Sequence, residues 1–489
     1  MRPVLTPAEM GEADRRAIAG GTPEPVLVER AGRAVARRAQ RLLGGGYGRR
    51  VVAVCGKGNN GADGRVATRV LRSRGVGVDE LLLADGFSEA ALRRALARAD
   101  LVIDAMYGTG FRGRLEGTAE MVVHEIDAAG LPVLAVDIPS GVDGATGAVA
   151  GTAVHAQHTI CFAAYKAGLL FEPGRAHAGS IVVADIGIAV ASDDICPALA
   201  VLDVTDLALP ERAPDVHKWS SGCLVVGGSG GMVGAPVLSA RAALHCGAGM
   251  VVCAVPGPAA AAQVSGQELV ARSLASSPEG AFADGAADEV LSEVHRYRAL
   301  VLGPGLGRSA GAQAAARRIV AEANIAMVID ADALNALAAD PAALDARHAA
   351  GLPIAVLTPH AAEYERLAGR PVGADRVEAA RDLARRLHAI VLLKGPSTVI
   401  AAPDGHAVIN LTGGPALATA GTGDVLSGVI AGLVARGVDG FDAAATGAYL
   451  HGRAAAAAAG SPDIVASDVV QALPRTLHVL RSGRDPWET

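Results

Sequence analysis

The chain contains 489 residues, of which 51% are hydrophobic and 19% are charged, and its net charge at pH 7 is −6. Because a single hydrophobic core rarely grows beyond about 250–300 residues, this length predicts at least two domains. The acidic balance, with no basic stripe interleaved with aromatic residues, argues against a nucleic-acid partner. No stretch reaches the roughly 18 uncharged apolar residues that a membrane-spanning helix needs.

The first residues, 1–14, lack the continuous apolar stretch of a signal peptide. The six cysteines form no C-x-x-C pair, so we expect buried free thiols rather than disulfides or a zinc site. These features predict a cytoplasmic protein whose partners are small molecules, with no nucleic acid and no membrane.

Short β-rich runs alternate with helix-length segments through the first half of the chain. The predicted strands are 50–55, 76–83, 101–104, 132–137, 159–162 and 181–184, and the predicted helices are 62–74, 89–98 and 119–129. Strands separated by helix-length segments indicate a parallel sheet covered by helices on both faces. We therefore predict a Rossmann-like, three-layer α/β domain.

A segment rich in Pro, Asp and Ala, 202–215, interrupts this rhythm, and we predict a boundary there that separates domains 1–208 and 209–489. A second alternation follows it. The predicted strands are 222–226, 251–255, 299–302, 327–330, 354–357, 390–393 and 398–401, with a helix at 236–246 and a mostly helical segment from 424 to about 479. The second half is thus predicted to be another three-layer α/β domain.

The segment 418–424, A-T-A-G-T-G-D, is the most informative motif in this half. Gly421 and Gly423 allow close approach of the backbone to a ligand, and an apolar helix is predicted to follow. A glycine-rich turn at a helix N-terminus favours anions such as phosphate. Asp424 in that position is typical of a base that takes a proton from a hydroxyl group. A plain helix start with an aspartate near its cap is the alternative interpretation.

Four other loops follow predicted strands in the second half. They are G-G-S-G-G-M-V-G (227–234), G-P-G-L-G (303–307), L-T-P-H-A-A-E (357–363) and K-G-P-S-T (394–398). His360 in the third loop lies where open α/β sheets bind ligands, at the carboxyl end of a strand. Lys394 in the fourth, with the hydroxyls that follow it, suits the phosphate of a nucleotide.

These loops, together with D-A-D-A-L (330–334), occur in the order found in the ribokinase-like family, and the chain resembles its ADP/ATP-dependent NAD(P)H-hydrate dehydratase branch. The resemblance covers nearly all of 217–480 and implies a ribokinase-like sheet with helices on both faces. The implied nucleotide-binding residues are Lys394, Gly395, Pro396, Ser397, Thr398 and Gly423. The implied substrate-binding residues are Ala235, Gly305, Gly307, His360 and Asp424. Trp219 departs from the family pattern, where a glycine is expected.

The chemistry that this resemblance implies suits the residues. Asp424 would deprotonate the hydroxyl of the hydrated nicotinamide, and the backbone amides of 420–423 would stabilise the transferred phosphoryl group. Loss of phosphate, a better leaving group than hydroxide, then restores NAD(P)H. The resemblance implies ADP as the donor, with ATP as the alternative, and phosphoryl transfer favours Mg²⁺ alongside the nucleotide.

In the first half, the loop G-K-G-N-N-G-A-D-G (56–64) follows a predicted strand but lacks the glycine spacing of a dinucleotide-binding fingerprint. Asn60, Asp104 and Ser140 each follow or end a predicted strand. Amide and carboxylate oxygens at such positions suit a hard cation or a polar substrate. Three ordinary polar turns are the alternative interpretation.

The motifs N-N-G-x-D-G, D-A-x-x-G-T-G and D-I-P-S-G together resemble the NAD(P)H-hydrate epimerase family over roughly 1–200. The resemblance implies potassium bound by Asn60, Asp104 and Ser140. It implies substrate binding by Asn59, Asn60, Gly61, Ala62, Asp63, Gly108, Thr109, Gly110, Phe111, Arg112, Gly113, Arg114 and Asp137. Asp137 is the candidate catalytic acid/base and Lys166 a second candidate, while Arg112 with Gly108–Gly110 suits a diphosphate. Ala62 replaces the family's second glycine.

Both resemblances name one substrate pair, the hydrates of NADH and NADPH (NADHX and NADPHX). They therefore predict a bifunctional repair enzyme, which we expect to be a homo-oligomer. One alternative is a vitamin or sugar kinase with an accessory N-terminal domain. Another is that the first half is a non-catalytic binding or scaffolding module.

Overall fold

The computed structural model describes residues 1–190, 198–264, 268–283, 285–458 and 463–486. The chain forms two compact units, Arg2–Leu199 and Ala200–Glu488. The predicted division into 1–208 and 209–489 falls shortly after this point, and a separate activity for each part stays a prediction. Within the described ranges, no helix combines the length and apolarity needed to cross a bilayer.

The N-terminal unit is an α/β unit. Its strands are β1 (Arg2–Leu5), β2 (Arg50–Cys55), β3 (Gly77–Leu82), β4 (Leu101–Ala105), β5 (Val133–Val136), β6 (His158–Phe162), β7 (Tyr165–Lys166) and β8 (Ser180–Ala184). Its helices are α1 (Pro7–Ala19), α2 (Glu24–Leu43), α3 (Asn59–Ser73), α4 (Glu89–Leu96), α5 (Thr118–Ala129) and α6 (Gly174–Ala178).

The main sheet of this unit has the order β3-β2-β4-β5-β6-β8, and all neighbouring strands are parallel. Alternation along β2 divides its side chains between two cores. Val51 and Ala53 pack with residues of α2 and α3, whereas Val52 and Val54 pack with residues of α4 and α5. The predicted parallel sheet with helices on both faces is confirmed. The strand pair β1 and β7, also parallel, was not predicted.

The C-terminal unit contains the remaining elements. Its strands are β9 (Leu199–Val201), β10 (Gly222–Val226), β11 (Met250–Pro256), β12 (Val270–Leu274), β13 (Ala299–Leu302), β14 (Ala326–Ile329), β15 (Val356–Leu357), β16 (Ile390–Leu393), β17 (Thr398–Ala401) and β18 (Ala407–Asn410). Its helices are α7 (Gly234–His245), α8 (Gly257–Ala261), α9 (Gly285–Glu293), α10 (Ala310–Glu322), α11 (Ala331–Ala339), α12 (Ala342–Ala349), α13 (Ala361–Ala368), α14 (Arg376–Leu387), α15 (Thr422–Ala435), α16 (Gly440–Ala458) and α17 (Ala466–Arg481).

Its sheet runs in the order β12-β11-β10-β13-β14-β15-β16-β17-β18, parallel up to β16 and antiparallel from β16 to β18. Residues such as Cys223, Val225 and Val301 share one core with α7, α15, α16 and α17. Their neighbours Leu224 and Leu300 are buried as well, and α14 packs on β16 and β17. The predicted three-layer α/β class is confirmed, although strands β12 and β18 were not predicted.

The five described cysteines are buried and unpaired, as expected: Cys55, Cys161, Cys223, Cys246 and Cys253. Burial raises the pKa of each of these thiols, to about 12 for Cys55 and Cys161 in the N-terminal unit and for Cys223 and Cys253 in the other. Cys196 lies outside the described residues.

Candidate active sites

Five parallel strands of the C-terminal unit direct their carboxyl ends to one edge of the sheet. Strands β10 and β13 lead into the two glycine-rich loops, β14 leads to Asp330, β15 to His360 and β16 to Lys394. The order of these strands therefore brings all four predicted loops together. Ligands of open α/β sheets bind at such an edge.

The two glycine-rich loops pack against each other. A Cβ atom at Gly227 would stand 2.2 Å from the carbonyl oxygen of Pro304. The hydroxyl of Ser229 donates to the carbonyl of Gly305 over 2.9 Å, and a Cβ at Gly305 would lie 3.3 Å from that of Ala235. The structure thus brings two predicted substrate residues, Ala235 and Gly305, together.

Helix α15 begins over this edge, and its N-cap residue Gly421 has a φ of 89°, a left-handed conformation that glycine adopts readily. Gly421 has no side chain, so no side-chain cap satisfies the first backbone N–H groups of the helix. Asp424 lies in the first turn and is half-buried. The hydroxyl of Ser239 in α7 donates to the Asp424 carbonyl over 2.8 Å, which fixes this turn. The predicted turn with an adjacent carboxylate is present, and it forms a potential anion site.

A cluster of charged side chains lies beside this turn. Nζ of Lys394 is 3.0 Å from Oδ1 of Asp330 and 3.7 Å from Oε2 of Glu363. Asp330 is 2% exposed, and its other carboxylate oxygen accepts a hydrogen bond from Ser427 of α15. A Cβ at Gly423 would lie 3.4 Å from Nζ of Lys394, so the absence of a side chain there keeps the ammonium group close to the helix start.

This cluster controls the protonation of Asp424. Burial, reinforced by the negative charge of Asp330, raises the pKa of Asp424 to about 7, while the charge of Lys394 opposes the shift. Burial lowers the pKa of Lys394, but the charges of Asp330 and Glu363 outweigh it and raise this pKa above the ordinary value. Lys394 therefore stays a cation, and Asp424 can accept a proton near neutral pH.

Asp330, Glu363 and Ser427 were not predicted as site residues. Asp330 belongs to the D-A-D-A-L motif and Glu363 to L-T-P-H-A-A-E, and both were used only as family signals. The partner of each lies far away in sequence, since Asp330 and Lys394 are 64 positions apart. The available signal was the placement of each carboxylate directly after a buried strand or at the following helix start.

The predicted residues His360 and Gly395 also have local structural partners. His360 caps helix α13, where its Nδ1 accepts from the backbone N–H of Ala362 and Glu363 over 3.1 and 3.3 Å. The guanidinium of Arg376 donates to the carbonyl of Lys394 over 3.0 Å and lies against Gly395. Arg376, which sequence reasoning missed, thus supports the K-G-P-S-T turn, in which Ser397 is buried and Thr398 begins β17.

Gly307, a predicted substrate residue, and Trp219, which departs from the family pattern, lie in different parts of this unit. The backbone N–H of Gly307 donates to Oδ2 of Asp332 over 3.0 Å, which ties the G-P-G-L-G turn to the start of α11. Trp219 lies in a short 3₁₀ helix before β10, where its ring packs against Tyr297 at 5.8 Å between centroids. The departure at Trp219 therefore lies at the start of β10, away from the carboxyl end that forms the site.

The N-terminal unit contains a cavity of about 1060 Å³ beyond the carboxyl ends of β2, β4 and β5. The predicted residues in its wall are Asn59, Asn60, Asp63, Gly108, Thr109, Gly110, Phe111, Arg112, Arg114, Asp137 and Lys166. The predicted residues Gly61, Ala62 and Gly113 are outside that wall. Ala62 lies in the first turn of α3, a conformation that any L-residue adopts, so its departure from glycine is mild.

The three predicted potassium ligands are Asp104 in β4, Ser140 after β5 and Asn60 in the first turn of α3. Asp104 is fully buried; its Oδ1 accepts from the Ser140 hydroxyl over 2.6 Å and its Oδ2 from the Ser140 backbone N–H over 2.8 Å. The amide oxygen and nitrogen of Asn60 are buried without a hydrogen-bond partner, and Gly108 packs directly against that amide. A buried amide oxygen without a partner and a buried carboxylate are each a suitable ligand for a cation.

Asp137 directly follows β5 and has a φ of 66°, which is uncommon for a residue with a side chain and is found disproportionately at functional sites. Its Oδ1 is 3.0 Å from Nζ of Lys166. That ammonium group is 1% exposed and also donates to the carbonyls of Phe162 and Ala164, over 2.7 and 3.2 Å. The Lys166 ammonium group thus has three acceptors within the protein. Asp137, rather than Lys166, is therefore the group available to a ligand.

The polar rim of the cavity is partly paired within the protein. The Asn59 amide donates to Oε1 of Glu24 over 2.8 Å. Nε of Arg112 lies 3.4 Å from Oδ2 of Asp143, and this guanidinium is 52% exposed. Arg112 is thus accessible to an anionic ligand at the cavity mouth.

Two α/β units, one with a strand-edge cavity and one with a phosphate-type turn beside a potential base, define the chain as a two-domain α/β enzyme. The family profile described as NAD(P)H-hydrate dehydratase matches 223–475, and that of the YjeF-related protein N-terminus matches 24–96 and 84–168.

Two curated relatives carry the name bifunctional NAD(P)H-hydrate repair enzyme Nnr. The one from Moorella thermoacetica is 40% identical over 99% of this chain and 98% of its own, and the one from Salinibacter ruber is 38% identical over 97% and 96%. The chain belongs to the family of bifunctional NAD(P)H-hydrate repair enzymes.

Similar solved structures cover the C-terminal part. A Bacillus subtilis ADP/ATP-dependent NAD(P)H-hydrate dehydratase, co-crystallised with ATP and Mg²⁺, is 30% identical over 56% of this chain and 94% of its own, with a TM-score of 0.46. A ribokinase-like superfamily protein from Enterococcus faecalis is 22% identical over 59% of this chain and 99% of its own, with a TM-score of 0.48.

Proposed function

We propose that the chain is a bifunctional repair enzyme for hydrated NADH and NADPH. The N-terminal unit interconverts the R and S hydrates, and the C-terminal unit dehydrates the S hydrate while ADP is converted to AMP and phosphate. The observation that carries this proposal is the 40% identity with a bifunctional repair enzyme over 99% of the chain, which spans both units. The kinase alternative does not account for a relative that matches both halves.

The geometry around Asp424 supports the dehydration chemistry. Its carboxylate takes the proton of the hydrate's hydroxyl, the oxygen attacks the terminal phosphorus of ADP, and AMP leaves. The ring nitrogen then expels phosphate from the adjacent carbon, and loss of a neighbouring C–H proton restores the reduced nicotinamide. The first backbone N–H groups of α15, beside Gly423, stabilise charge on the moving phosphoryl group.

Nucleotide binding is assigned to Lys394, Gly395, Pro396, Ser397, Thr398 and Gly423. This assignment is supported by the position of the Lys394 ammonium group at the start of α15. The helix N-terminus and the cation both favour phosphate there. ADP is the proposed donor and ATP the alternative. Mg²⁺ is expected with the nucleotide because it neutralises phosphate charge in such transfers.

Potassium is assigned to the oxygens of Asn60, Asp104 and Ser140. The buried amide oxygen of Asn60, which lacks a partner, and the buried Asp104 carboxylate fit a cation of this kind. The ion would fix the loops that line the cavity. Replacing K⁺ by N-methylglucamine is expected to slow epimerisation but not dehydration, and equal epimerisation rates in both salts would contradict the assignment.

The substrate-binding residues of the N-terminal unit are the cavity-wall residues given above together with Gly61, Ala62 and Gly113. Those of the C-terminal unit are Ala235, Gly305, Gly307, His360 and Asp424. Asp137 serves as acid/base in epimerisation because its carboxylate lines the cavity while Lys166 is saturated by protein acceptors. A homo-oligomeric state and a cytoplasmic location remain proposals.

The test is incubation with mixed R and S hydrate plus ADP or ATP, following reduced nicotinamide, AMP and phosphate together. We expect complete conversion and one phosphate for each nicotinamide restored. Asp137→Asn should convert the S fraction rapidly and then stall at the rate of spontaneous epimerisation. A stable phosphorylated product without reduced nicotinamide would establish the kinase alternative. An Asp137→Asn enzyme that converts R hydrate normally would refute the acid/base role.

A further inference from the structure

The cavity of the N-terminal unit contains a second buried carboxyl group, Asp63, whose chemistry the proposed function leaves unassigned. Asp63 lies on α3, one turn beyond the proposed potassium ligand Asn60, and is 7% exposed. Its side chain lines the cavity. Among the described residues, the structure shows no hydrogen bond or ion pair to its carboxyl oxygens.

Buried carboxyl groups without protein partners are uncommon, because desolvation is compensated by hydrogen bonds or charges in most proteins. The backbone around Asp63 is closely packed: a Cβ at Gly32 of α2 would stand 2.7 Å from the Asp63 carbonyl oxygen. The position of Asp63 is thus fixed by two packed helices, and its carboxyl group is left to the cavity. A buried carboxyl group that is held in place without a protein partner is typical of a functional residue rather than of one that stabilises the fold.

The charged groups that face Asp63 are mainly acidic. They are Asp14 of α1 and Asp137 after β5, with Lys166 of β7 bound to Asp137. All four side chains line the same cavity. Burial, reinforced by the charges of Asp137 and Asp14, raises the pKa of Asp63 to about 8. Asp63 is therefore mainly protonated at neutral pH, whereas Asp137 has an ammonium group 3.0 Å from one oxygen.

The reaction assigned to this cavity needs both an acid and a base. The hydrate carries its hydroxyl on the ring carbon next to the nitrogen, so the carbon–oxygen bond can break when the nitrogen lone pair forms a C=N⁺ bond. The departing oxygen needs a proton. Inversion requires water to add from the other face, and that water must lose a proton.

We propose that Asp63 is the general acid of epimerisation and that Asp137 is its base, acting through loss and re-addition of water at this carbon. Asp63 donates its proton to the hydroxyl as the carbon–oxygen bond breaks, and water and a ring iminium form. A second water attacks the opposite face and gives a proton to Asp137. Transfer of that proton through solvent to Asp63 restores both groups, so that only the configuration has changed. This inference rests on the proposed epimerase function of the unit.

The first test uses the full chain without nucleotide, pure R hydrate and water enriched in ¹⁸O. We expect each molecule of S hydrate formed early in the reaction to contain one solvent oxygen. S hydrate that retains its original oxygen would overturn the proposal, because water would not then have been exchanged.

The second test compares Asp63→Asn with Asp14→Asn and with the surface control Asp127→Asn. We expect Asp63→Asn to lower kcat for epimerisation by about 10²–10⁴-fold, the usual effect of losing a general acid, with little change in KM. Wild-type kcat should fall as the pH rises through about 8, because the acid form of Asp63 is lost. Asp14→Asn should move that fall to lower pH, since one neighbouring negative charge is removed. Asp127→Asn should change neither quantity.

The KM of the Asp63→Asn chain for R hydrate shows whether the N-terminal unit is folded and its cavity still binds, and dehydration of pure S hydrate with ADP shows that the C-terminal unit is unaffected. Wild-type kcat for epimerisation in Asp63→Asn would overturn the inference while the proposed function stands. A wild-type chain that does not epimerise the hydrates at all would instead refute the proposed function.

Discussion

Asp330, Glu363, Lys394 and Asp424 form one cluster of charged side chains in the C-terminal unit, and their charges act on the pKa of Asp424. Lys394 is bound to Asp330 and lies near Glu363, and the negative charges around Asp424 raise its pKa to about 7. A carboxylate with an ordinary pKa would be a weaker base at neutral pH. The cluster thus makes Asp424 a better proton acceptor while it keeps Lys394 a cation, as the proposed binding of phosphate groups requires.

The pH dependence of dehydration follows from this arrangement. Asp424 must be ionised to accept a proton, so kcat/KM for S hydrate should rise as the pH increases through about 7 and level off above it. Asp330→Asn removes a negative charge beside Asp424 and should move this rise to lower pH. Glu365→Gln, on the exposed face of the helix that carries Glu363, is the matched control and should leave the midpoint unchanged. Equal midpoints in all three proteins would show that Asp424 is not the titrating base.

The sequence was informative about Asp424 and Lys394 because each lies in a short glycine-containing motif with local meaning. It was not informative about Asp330 as a partner of Lys394, since that ion pair depends on the order of strands β14 and β16 in the sheet. The pKa of Asp424 depends on that ion pair and on burial. Local patterns predicted which residues reach the edge but not which of them touch.

At the scale of elements, the contact of α7 with α15 positions the glycine-rich turn at the start of α15. Helix α15 is buried along nearly its whole length, and a Cβ at Gly428 would stand 2.0 Å from the carbonyl oxygen of Ser239. The same serine donates its hydroxyl to the Asp424 carbonyl. The small residue at Gly428 therefore allows the close approach that fixes the first turn of α15.

Gly428→Ala is expected to destabilise the C-terminal unit by about 1–3 kcal/mol, because the added methyl group must displace the backbone of α7. Urea unfolding measures this change. Gly234→Ala, at the start of α7, is the control: no atom beyond its neighbours lies within 4 Å of the added Cβ, so it should be neutral or slightly stabilising. If both variants lost stability, the cause would be the replacement of glycine itself and not the contact between α7 and α15.

The elements that were predicted are those with strong apolar patterns, such as β2, β10 and β13. Strand β12 was missed because Val270, Ala271 and Ser273 are exposed, Arg272 is half-buried and only Leu274 is buried, so that no buried pattern marks it. Strand β7 contains only two residues, Tyr165 and Lys166, and its pairing with β1 depends on the fold of the whole unit. Edge and very short strands have little local signal.

At the scale of the whole molecule, each proposed reaction has its own set of residues in its own unit. The wall of the cavity in the N-terminal unit contains Asp137, and the first turn of α15 in the C-terminal unit contains Asp424. No residue proposed for one reaction is needed for the other. Loss of either function by substitution should therefore leave the other intact.

A mixture of Asp137→Asn and Asp424→Asn proteins tests this separation. Alone, the first should stall after the S hydrate is consumed, and the second should form no reduced nicotinamide. Together they should convert R hydrate completely, because S hydrate released by one protein is the substrate of the other. Failure of the mixture, with each remaining single activity normal, would mean that the hydrate must be transferred within one chain.

Alkylation of the buried thiols can measure the unfolding of each unit separately. Alkylating reagents react with the thiolate, and the raised pKa of these groups leaves almost none of it in the folded chain. In a Cys196→Ser background, iodoacetamide should label the native protein very slowly, and labelling should follow the urea transition. Modification of Cys55 and Cys161 would report opening of one unit, and that of Cys223, Cys246 and Cys253 opening of the other. Peptide mass spectrometry then gives a separate unfolding midpoint for each half of the same polypeptide.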